Sequence, residues 1–330
     1  MDSLFKAFTV FENEDGSFKS EIISKSIDDL PPGDVLVRVD FSSLNYKDAL
    51  SATGNKGVTK KYPHTPGIDA VGTVEDTSHS SFKIGDQVIV SGYDMGQNTA
   101  GGFGEYIRVP REWVALMPEG LTKKESIILG TAGMTAGLSL RELQKKNGIE
   151  GKLAIVTGAT GGVGSVAVIV CSKLGYNVTA VTGKDSKADY LKSLGAKNVV
   201  NRSEFDKDPR LIDKGLWDGV VDTVGGKILA NAIVQTNPNG IIAVCGNANT
   251  NELNTNVIPF MLRGIKLWGM DSANCSIKRR EFIWNEAANL IDFNLLEASI
   301  QTVSLEELIE TYPKILKGEI SGRVLVDLNK

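Results

Sequence analysis

Histidine and cysteine are nearly missing from this chain. Two histidines (His64, His79) and three cysteines (Cys171, Cys245, Cys275) are all that 330 residues hold. Zinc sites and Ser-His or Cys-His nucleophilic centres need such side chains in clusters, so little room is left for either. The cysteines are widely spaced and odd in number, with no Cys-x-x-Cys, which excludes a zinc ribbon and a thioredoxin-type redox pair. Excess positive charge is missing too. Lys plus Arg number 36 against 40 Asp plus Glu, a net charge of −4. A nucleic-acid or anionic-membrane binder would show a basic excess or stripe. No apolar run approaches the roughly 18 residues of a spanning helix. The opening MDSLFKAFTV soon turns acidic and has no leader-type apolar core. Few cysteines and no leader imply a cytoplasmic protein.

Glycine, by contrast, is plentiful at 35 residues, above the usual proportion of about 7%. The length suggests about two domains. Up to about residue 125 the chain reads as β-rich. Asp34–Phe41 (DVLVRVDF) and Phe103–Val109 (FGEYIRV) alternate apolar and polar residues, and Ala70–Val74 and Gln87–Val90 add short strands between glycines. Many short strands with Gly and Pro turns indicate a barrel-like unit. Thr122-Lys-Lys-Glu125 has the spacing of a capping box and opens a helix expected to run through Leu143. From Gly151 the style changes to repeated strand–turn–helix. Strands are expected at Lys152–Thr157, Asn177–Thr182, Lys197–Val200, Gly219–Asp222, Ile241–Cys245 and Lys266–Gly269, with helices at Gly164–Leu174 and Ser186–Leu194. Such βα alternation builds a doubly wound parallel sheet. A helix over Ser276–Leu290 and a strand over Arg323–Leu328 follow, and that last strand has the pattern to rejoin the first domain.

The turn after the first of these βα strands carries the chemistry. In Gly158-Ala-Thr-Gly-Gly-Val-Gly164, Ala159, Gly161 and Gly164 fall on the three glycine positions of GxGxxG. Gly161 lets backbone approach a pyrophosphate, and Gly164 lets helix pack on strand. Thr160, Gly161, Gly162, Val163 and Gly164 would then offer hydroxyl and helix N-terminal N–H groups to phosphates. The blander alternative is a structural glycine turn. At the end of the second strand an NAD site usually carries Asp or Glu for the ribose hydroxyls. Here stand Thr182, Gly183 and Lys184, with Arg202 after the third strand. Donors and cations suit the 2′-phosphate of NADPH. Asp185 is the contrary signal, and either cation alone reads equally as a solvated charge.

A barrel-like part joined to a dinucleotide domain resembles the medium-chain dehydrogenase/reductase superfamily over nearly the whole length. That resemblance implies an α/β protein with a GroES-like β-barrel catalytic domain, residues 1–126 and 272–330, and a Rossmann domain of doubly wound parallel sheet, residues 127–271. Zinc members of the family place a Cys early and a Gly-His-Glu soon after. The corresponding segments here are Asn45-Tyr-Lys-Asp48 and Gly67-Ile-Asp69, and no cysteine lies between positions 80 and 120, where the structural zinc lobe would be. Zinc is therefore not expected, nor alcohol oxidation through a metal alkoxide. The motifs SSLNYKDAL (Ser42–Leu50), TPGIDAVGTV (Thr65–Val74), VTGATGGVG (Val156–Gly164), LGAKNV (Leu194–Val199), DTVGG (Asp222–Gly226), CGNA (Cys245–Ala248) and GMDS (Gly269–Ser272) are similar to the zinc-free quinone oxidoreductase branch, and within it to the acryloyl-CoA reductase, or YhdH-type, subfamily.

What the resemblance implies is an NADPH-dependent reductase of a small α,β-unsaturated acyl-CoA or carbonyl compound. A quinone reductase and an NADPH-binding protein with a structural or sensing role are the alternatives. Tyr46 is the first candidate near the nicotinamide, as a donor to substrate or cofactor. Asn45 would orient either ligand, Lys47 would tune the tyrosine or balance phosphate charge, and Asp48 and Asp69 would fix the cluster or merely hold loops. Asn247 and Ser272 are implied cofactor contacts at carboxyl ends of strands. Arg323 is read as a ligand for cofactor or an acyl or phosphate group, or as a surface charge at a strand start. Cys245 lacks a base to activate it. Family precedent implies a homodimer formed through the edge of the cofactor-domain sheet within Val257–Ser272.

Overall fold

The structure, a computed structural model, describes residues 4–145 and 150–330. Met1–Ser3 of the expected barrel domain and Lys146–Ile149 of the expected cofactor domain therefore lie outside the described residues.

β1 (Leu4–Glu12) and β2 (Phe18–Ser26) form an antiparallel hairpin. β3 (Val35–Leu44), α1 (Tyr46–Ala52), β4 (Asp69–Thr77), β5 (Gln87–Ser91), β6 (Tyr106–Val109) and β7 (Val114–Leu116) follow, then α2 (Lys123–Gln144). The βα part comprises β8 (Leu153–Thr157), α3 (Gly162–Lys173), β9 (Asn177–Thr182), α4 (Ala188–Ser193), β10 (Ala196–Asn201), β11 (Trp217–Asp222), α5 (Gly226–Val234), β12 (Thr236–Val244), α6 (Ile258–Arg263) and β13 (Lys266–Gly269). The tail adds α7 (Ile277–Leu290), α8 (Phe293–Glu297), β14 (Ile300–Val303), α9 (Leu305–Leu316) and β15 (Arg323–Asp327).

The chain divides into two compact units: Met1–Thr131 with Ser272–Ala288 and Ser299–Lys330, and Ala132–Asp271 with Asn289–Ala298. In the first, strand order is β14-β15-β3-β4-β5-β7, with β6 also on β3. β3 is the spine. β4 runs along one of its edges, while β6 pairs with Val35–Arg38 and β15 with Phe41–Leu44. The β3–β4 register shifts between Val39 and Phe41, so Asp40 is the extra residue of a bulge. Alternation explains the rest, since Val35, Val37 and Val39 all point into a core with Phe8, Val88, Ile107 and Val326.

The second unit has strand order β10-β9-β8-β11-β12-β13, all parallel, which is the 3-2-1-4-5-6 order of a dinucleotide fold. Its central strands are near-continuous runs of Ile, Val and Ala because both sheet faces are covered. For the same reason α3 is apolar almost all round, with Gly164–Cys171 buried.

α2 starts where its capping box predicts, Thr122 Oγ1 accepting from Glu125 N at 3.2 Å and Glu125 Oε2 from Thr122 N at 2.8 Å. It is not one continuous helix. Gly130 breaks it with φ 33° and ψ −140°, a conformation open to glycine and strained for other residues. A Cβ there would also sit 2.8 Å from Asp69 Oδ2.

Candidate active site

In the first unit the candidate residues gather at the junction of β3, α1, β4 and β15. Asn45 caps α1, but its side chain turns away from the helix. Nδ2 donates to Asp69 Oδ2 at 2.9 Å and to Ser43 O at 3.1 Å. Oδ1 accepts from Arg323 Nη1 at 3.0 Å. Asp69, fully buried, also accepts from Ser43 Oγ (2.8 Å), Ser91 Oγ (2.6 Å), Thr131 N (2.9 Å) and Thr131 Oγ1 (2.7 Å). Arg323 is not a surface charge: 3% of it is exposed, and Nη2 donates to Ser43 Oγ at 2.8 Å and lies 3.7 Å from Asp69 Oδ2. Burial lowers its pKa, and Asp69 and then Asp48 oppose that. Its Nε, also buried, has no hydrogen-bond partner among the described residues.

Asp48 works through backbone. Its Oδ2 accepts from Asn45 N at 2.8 Å, and Oδ1 from Gly67 N and Ile68 N at 3.1 and 2.8 Å. It thus ties the start of α1 to the loop entering β4. Full burial outweighs these donors and pushes its pKa up to about 7. Arg323 Nη2 and Asp69 Oδ2, 3.7 Å apart, form a buried ion pair. Tyr46 is half-buried in the first turn of α1 and, among the described residues, its hydroxyl has no hydrogen-bond partner. That phenol is available to a ligand.

The second unit carries the phosphate turn. α3 begins at Gly162 behind Gly161, and no side chain caps it, so its first-turn N–H groups face outward unpaired by a cap. A Cβ at Gly164 would lie 2.3 Å from Gly158 O, the close approach expected of the third glycine. At Gly161 the nearest atom to such a Cβ is Gly158 O at 3.3 Å. Thr160 and Thr182 hydroxyls meet at 3.2 Å, and Lys184 N donates to Thr182 Oγ1 at 3.1 Å. Arg202 lies over Gly183, where a Cβ would be 2.7 Å from its Nε. Asp185, the contrary signal, accepts from Asn201 Nδ2 at 2.7 Å. Lys184 has its pKa lowered by burial and then by Lys187, a neighbouring cation that sequence reasoning missed although it recurs three residues on. These donors and cations fit a dinucleotide with a 2′-phosphate.

Asp222, at the end of β11, was likewise unread within its DTVGG motif. It accepts from Thr157 Oγ1 at 2.6 Å and Gly225 N at 2.9 Å, holding two strand ends together, and burial raises its pKa. Cys245 donates to Asp222 O at 3.1 Å, and burial followed by the Asp222 charge pushes its pKa up to about 12. It is no nucleophile near neutral pH. Asn247 donates its amide to Asn251. Ser272 falls in the first unit, its carbonyl accepting from buried Arg280 Nη2 at 2.7 Å. Arg280 went unnoticed because a basic run on a helix ordinarily reads as solvated.

The residues do not fit zinc. Asn45, Ser43 and Asp69 are arranged around a guanidinium, and among the described residues no three His, Cys, Asp or Glu side chains converge as ligands would.

Comparison with known proteins agrees with this layout. The family model for the alcohol dehydrogenase GroES-like domain matches residues 31–119, and that for zinc-binding dehydrogenase matches 162–292. The chain is 40% identical to the acrylyl-CoA reductase AcuI of Ruegeria pomeroyi, over 99% of this chain and 100% of that one. YhfP of Bacillus subtilis, whose name assigns it provisionally to the quinone oxidoreductases, is 40% identical over 99% and 100%. Its solved structure with NAD bound has a TM-score of 0.94 at 38% identity, covering 99% of this chain and 100% of that one. The structure of Escherichia coli K-12 YhdH with bound NADPH has a TM-score of 0.93 at 40% identity, covering 98% and 100%.

Proposed function

The chain belongs to the medium-chain dehydrogenase/reductase superfamily, alongside acrylyl-CoA reductases and YhdH-type and YhfP-type oxidoreductases, and from that premise we propose that it reduces the activated C=C bond of a small α,β-unsaturated acyl-CoA with NADPH. The observation that carries this reading is end-to-end similarity to AcuI combined with an intact phosphate turn and an intact polar cluster around Asn45.

Bound NADPH would supply the hydride. The pyrophosphate falls to the N–H groups at Gly162–Gly164, and the 2′-phosphate to Lys184, Lys187 and Arg202, with Thr182 alongside. Tyr46 donates its hydroxyl proton in a hydrogen bond to a bound ligand, the acyl carbonyl oxygen in the first instance, where negative charge develops as the β-carbon is reduced. Asn45 is a positioning residue, held at both ends of its amide by Asp69 and Arg323. Asp48 fixes the backbone from which Tyr46 projects.

The test offers NADPH or NADH with acryloyl-CoA, crotonyl-CoA, a simple enone and a benzoquinone. Rapid NADPH oxidation with acryloyl-CoA supports the proposal. Turnover with quinone alone favours the second reading, which the YhfP name recommends, and substrate-independent slow oxidation favours a binding role. Preference for NADH overturns the assignment of Lys184, Lys187 and Arg202.

The finer reading of assembly is a homodimer. β13 ends its sheet with all four residues exposed, and Met261 and Leu262 on the adjacent α6 are 73% and 70% exposed. An open edge beside apolar side chains is suited to pairing with a second copy. No helix among the described residues is long and apolar enough to cross a membrane, and the three cysteines are free, as suits the cytoplasm.

A further inference from the structure

The stretch from Ala49 to Ile68 contains no carboxylate, yet it carries Lys56, Lys60 and Lys61 and is preceded by Lys47. In a chain of net charge −4 this is a local reversal of sign. Lys56 is already spent: it pairs with Glu12 at 2.5 Å and lies over the Tyr62 ring at 4.8 Å. Lys47, Lys60 and Lys61 have no ion pair among the described residues. The loop bearing Lys60 and Lys61 is folded back on α1. Ser51 Oγ meets Thr59 Oγ1 at 2.7 Å, Tyr62 Oη donates to Ser51 O at 2.7 Å, and Lys60 N donates to Asn98 Oδ1 at 3.1 Å. The carboxylate next along that path, Asp94, is occupied by Asn98 Nδ2 and Thr99 Oγ1. Lys47 and Ser51 lie one helical turn apart on the same face. Lys47, Lys60 and Lys61 therefore belong to one segment whose backbone is held in place, with Tyr46 at one end of it.

We propose that Lys47, Lys60 and Lys61 recognise the phosphates of a coenzyme A thioester, an inference that rests on the acyl-CoA reading above. The length is compatible. The loop bearing Lys60 and Lys61 is bonded to Ser51, five residues from Tyr46 and about 7.5 Å from it along the axis of α1, and the pantetheine arm between thioester and pyrophosphate reaches roughly 15 Å when extended. Lysine suits the task, being a mobile point charge that follows phosphates without demanding a fixed geometry.

The test compares acryloyl-CoA with acryloyl-pantetheine, which keeps the reacting thioester and lacks the nucleotide. For the parent protein, kcat/KM should favour acryloyl-CoA, and the advantage should shrink as salt is added. In the double variant Lys60→Glu, Lys61→Glu the ratio of the two kcat/KM values should fall roughly tenfold, through KM and not kcat. Equal ratios in parent and variant would overturn the patch while leaving the reductase reading intact. If neither thioester is reduced, the reductase reading fails. Calorimetry with 3′-phosphoadenosine 5′-diphosphate at saturating NADP+ then decides: weaker binding by the variant supports the patch, and no binding by the parent overturns it.

Discussion

Single residues divide the site into groups that touch ligands and groups that hold them. Tyr46→Phe should lower kcat/KM for acryloyl-CoA by about a hundredfold to a thousandfold, the range for loss of one donor to a developing oxyanion, with the thermal midpoint nearly unchanged. Steady-state kinetics checks this, and unchanged turnover removes the hydroxyl from the chemistry. Asp48 makes a different prediction. Its folded pKa of about 7 stands above the ordinary 3.8, so its contribution to stability is fully present below about pH 4 and is lost as pH rises through 7. At about 1.4 kcal/mol per pH unit the loss is of the order of 4 kcal/mol. Asp48→Asn removes that slope. It adds a pH-independent cost of about 1–3 kcal/mol, because an amide N–H would face Asn45 N–H. Urea unfolding from pH 4 to pH 8 should therefore show the variant gaining on the parent until about pH 8 and holding level beyond it.

Elements show how much of this was written in local sequence. β9 coincides with the expected strand, Asn177–Thr182, because alternation and flanking glycines act within a few residues. α3 starts two residues before the expected Gly164, since its first turn is the phosphate turn itself. The break in α2 was illegible: Thr131, just beyond it, bonds through N and Oγ1 to Asp69 Oδ1, a partner 62 residues away in sequence. Arg323 was ambiguous for the same reason, its partner Asn45 being 278 residues away in sequence. The phosphate turn carries two predictions. Gly164→Ala drives a methyl group to 2.3 Å from Gly158 O, and should cost about 1–3 kcal/mol of stability while weakening NADPH binding, both readable by thermal shift with and without cofactor. Lys184→Ala combined with Arg202→Ala should raise the Kd for NADPH tenfold or more, through lost charge-assisted bonds, and leave NADH nearly unaffected. Fluorescence titration with both nucleotides checks the split.

For the whole molecule, the segments that the resemblance sets against the zinc ligands of other superfamily members fall together in one polar cluster. That cluster consists of an amide, two carboxylates and a guanidinium, joined by hydrogen bonds. Met261→Asp with Leu262→Asp should convert a dimer to a monomer in light scattering, without disturbing the described core, since both side chains are exposed. A parent protein already monomeric would refute the edge-pairing reading. The shared edge of β3 has a further consequence, in the order of events during synthesis. β15 supplies both the last hydrogen-bonded partner of Phe41–Leu44 and, through Arg323, the cation that balances Asp69. A ribosome emits the chain from its N-terminus, and long-range pairings wait for both partners. The nascent first unit must therefore wait, with an unpaired sheet edge and an unbalanced buried acid, until its final dozen residues emerge. The parallel sheet of the βα unit, which needs nothing beyond β13, is free to pair before the sheet of the unit that was begun first.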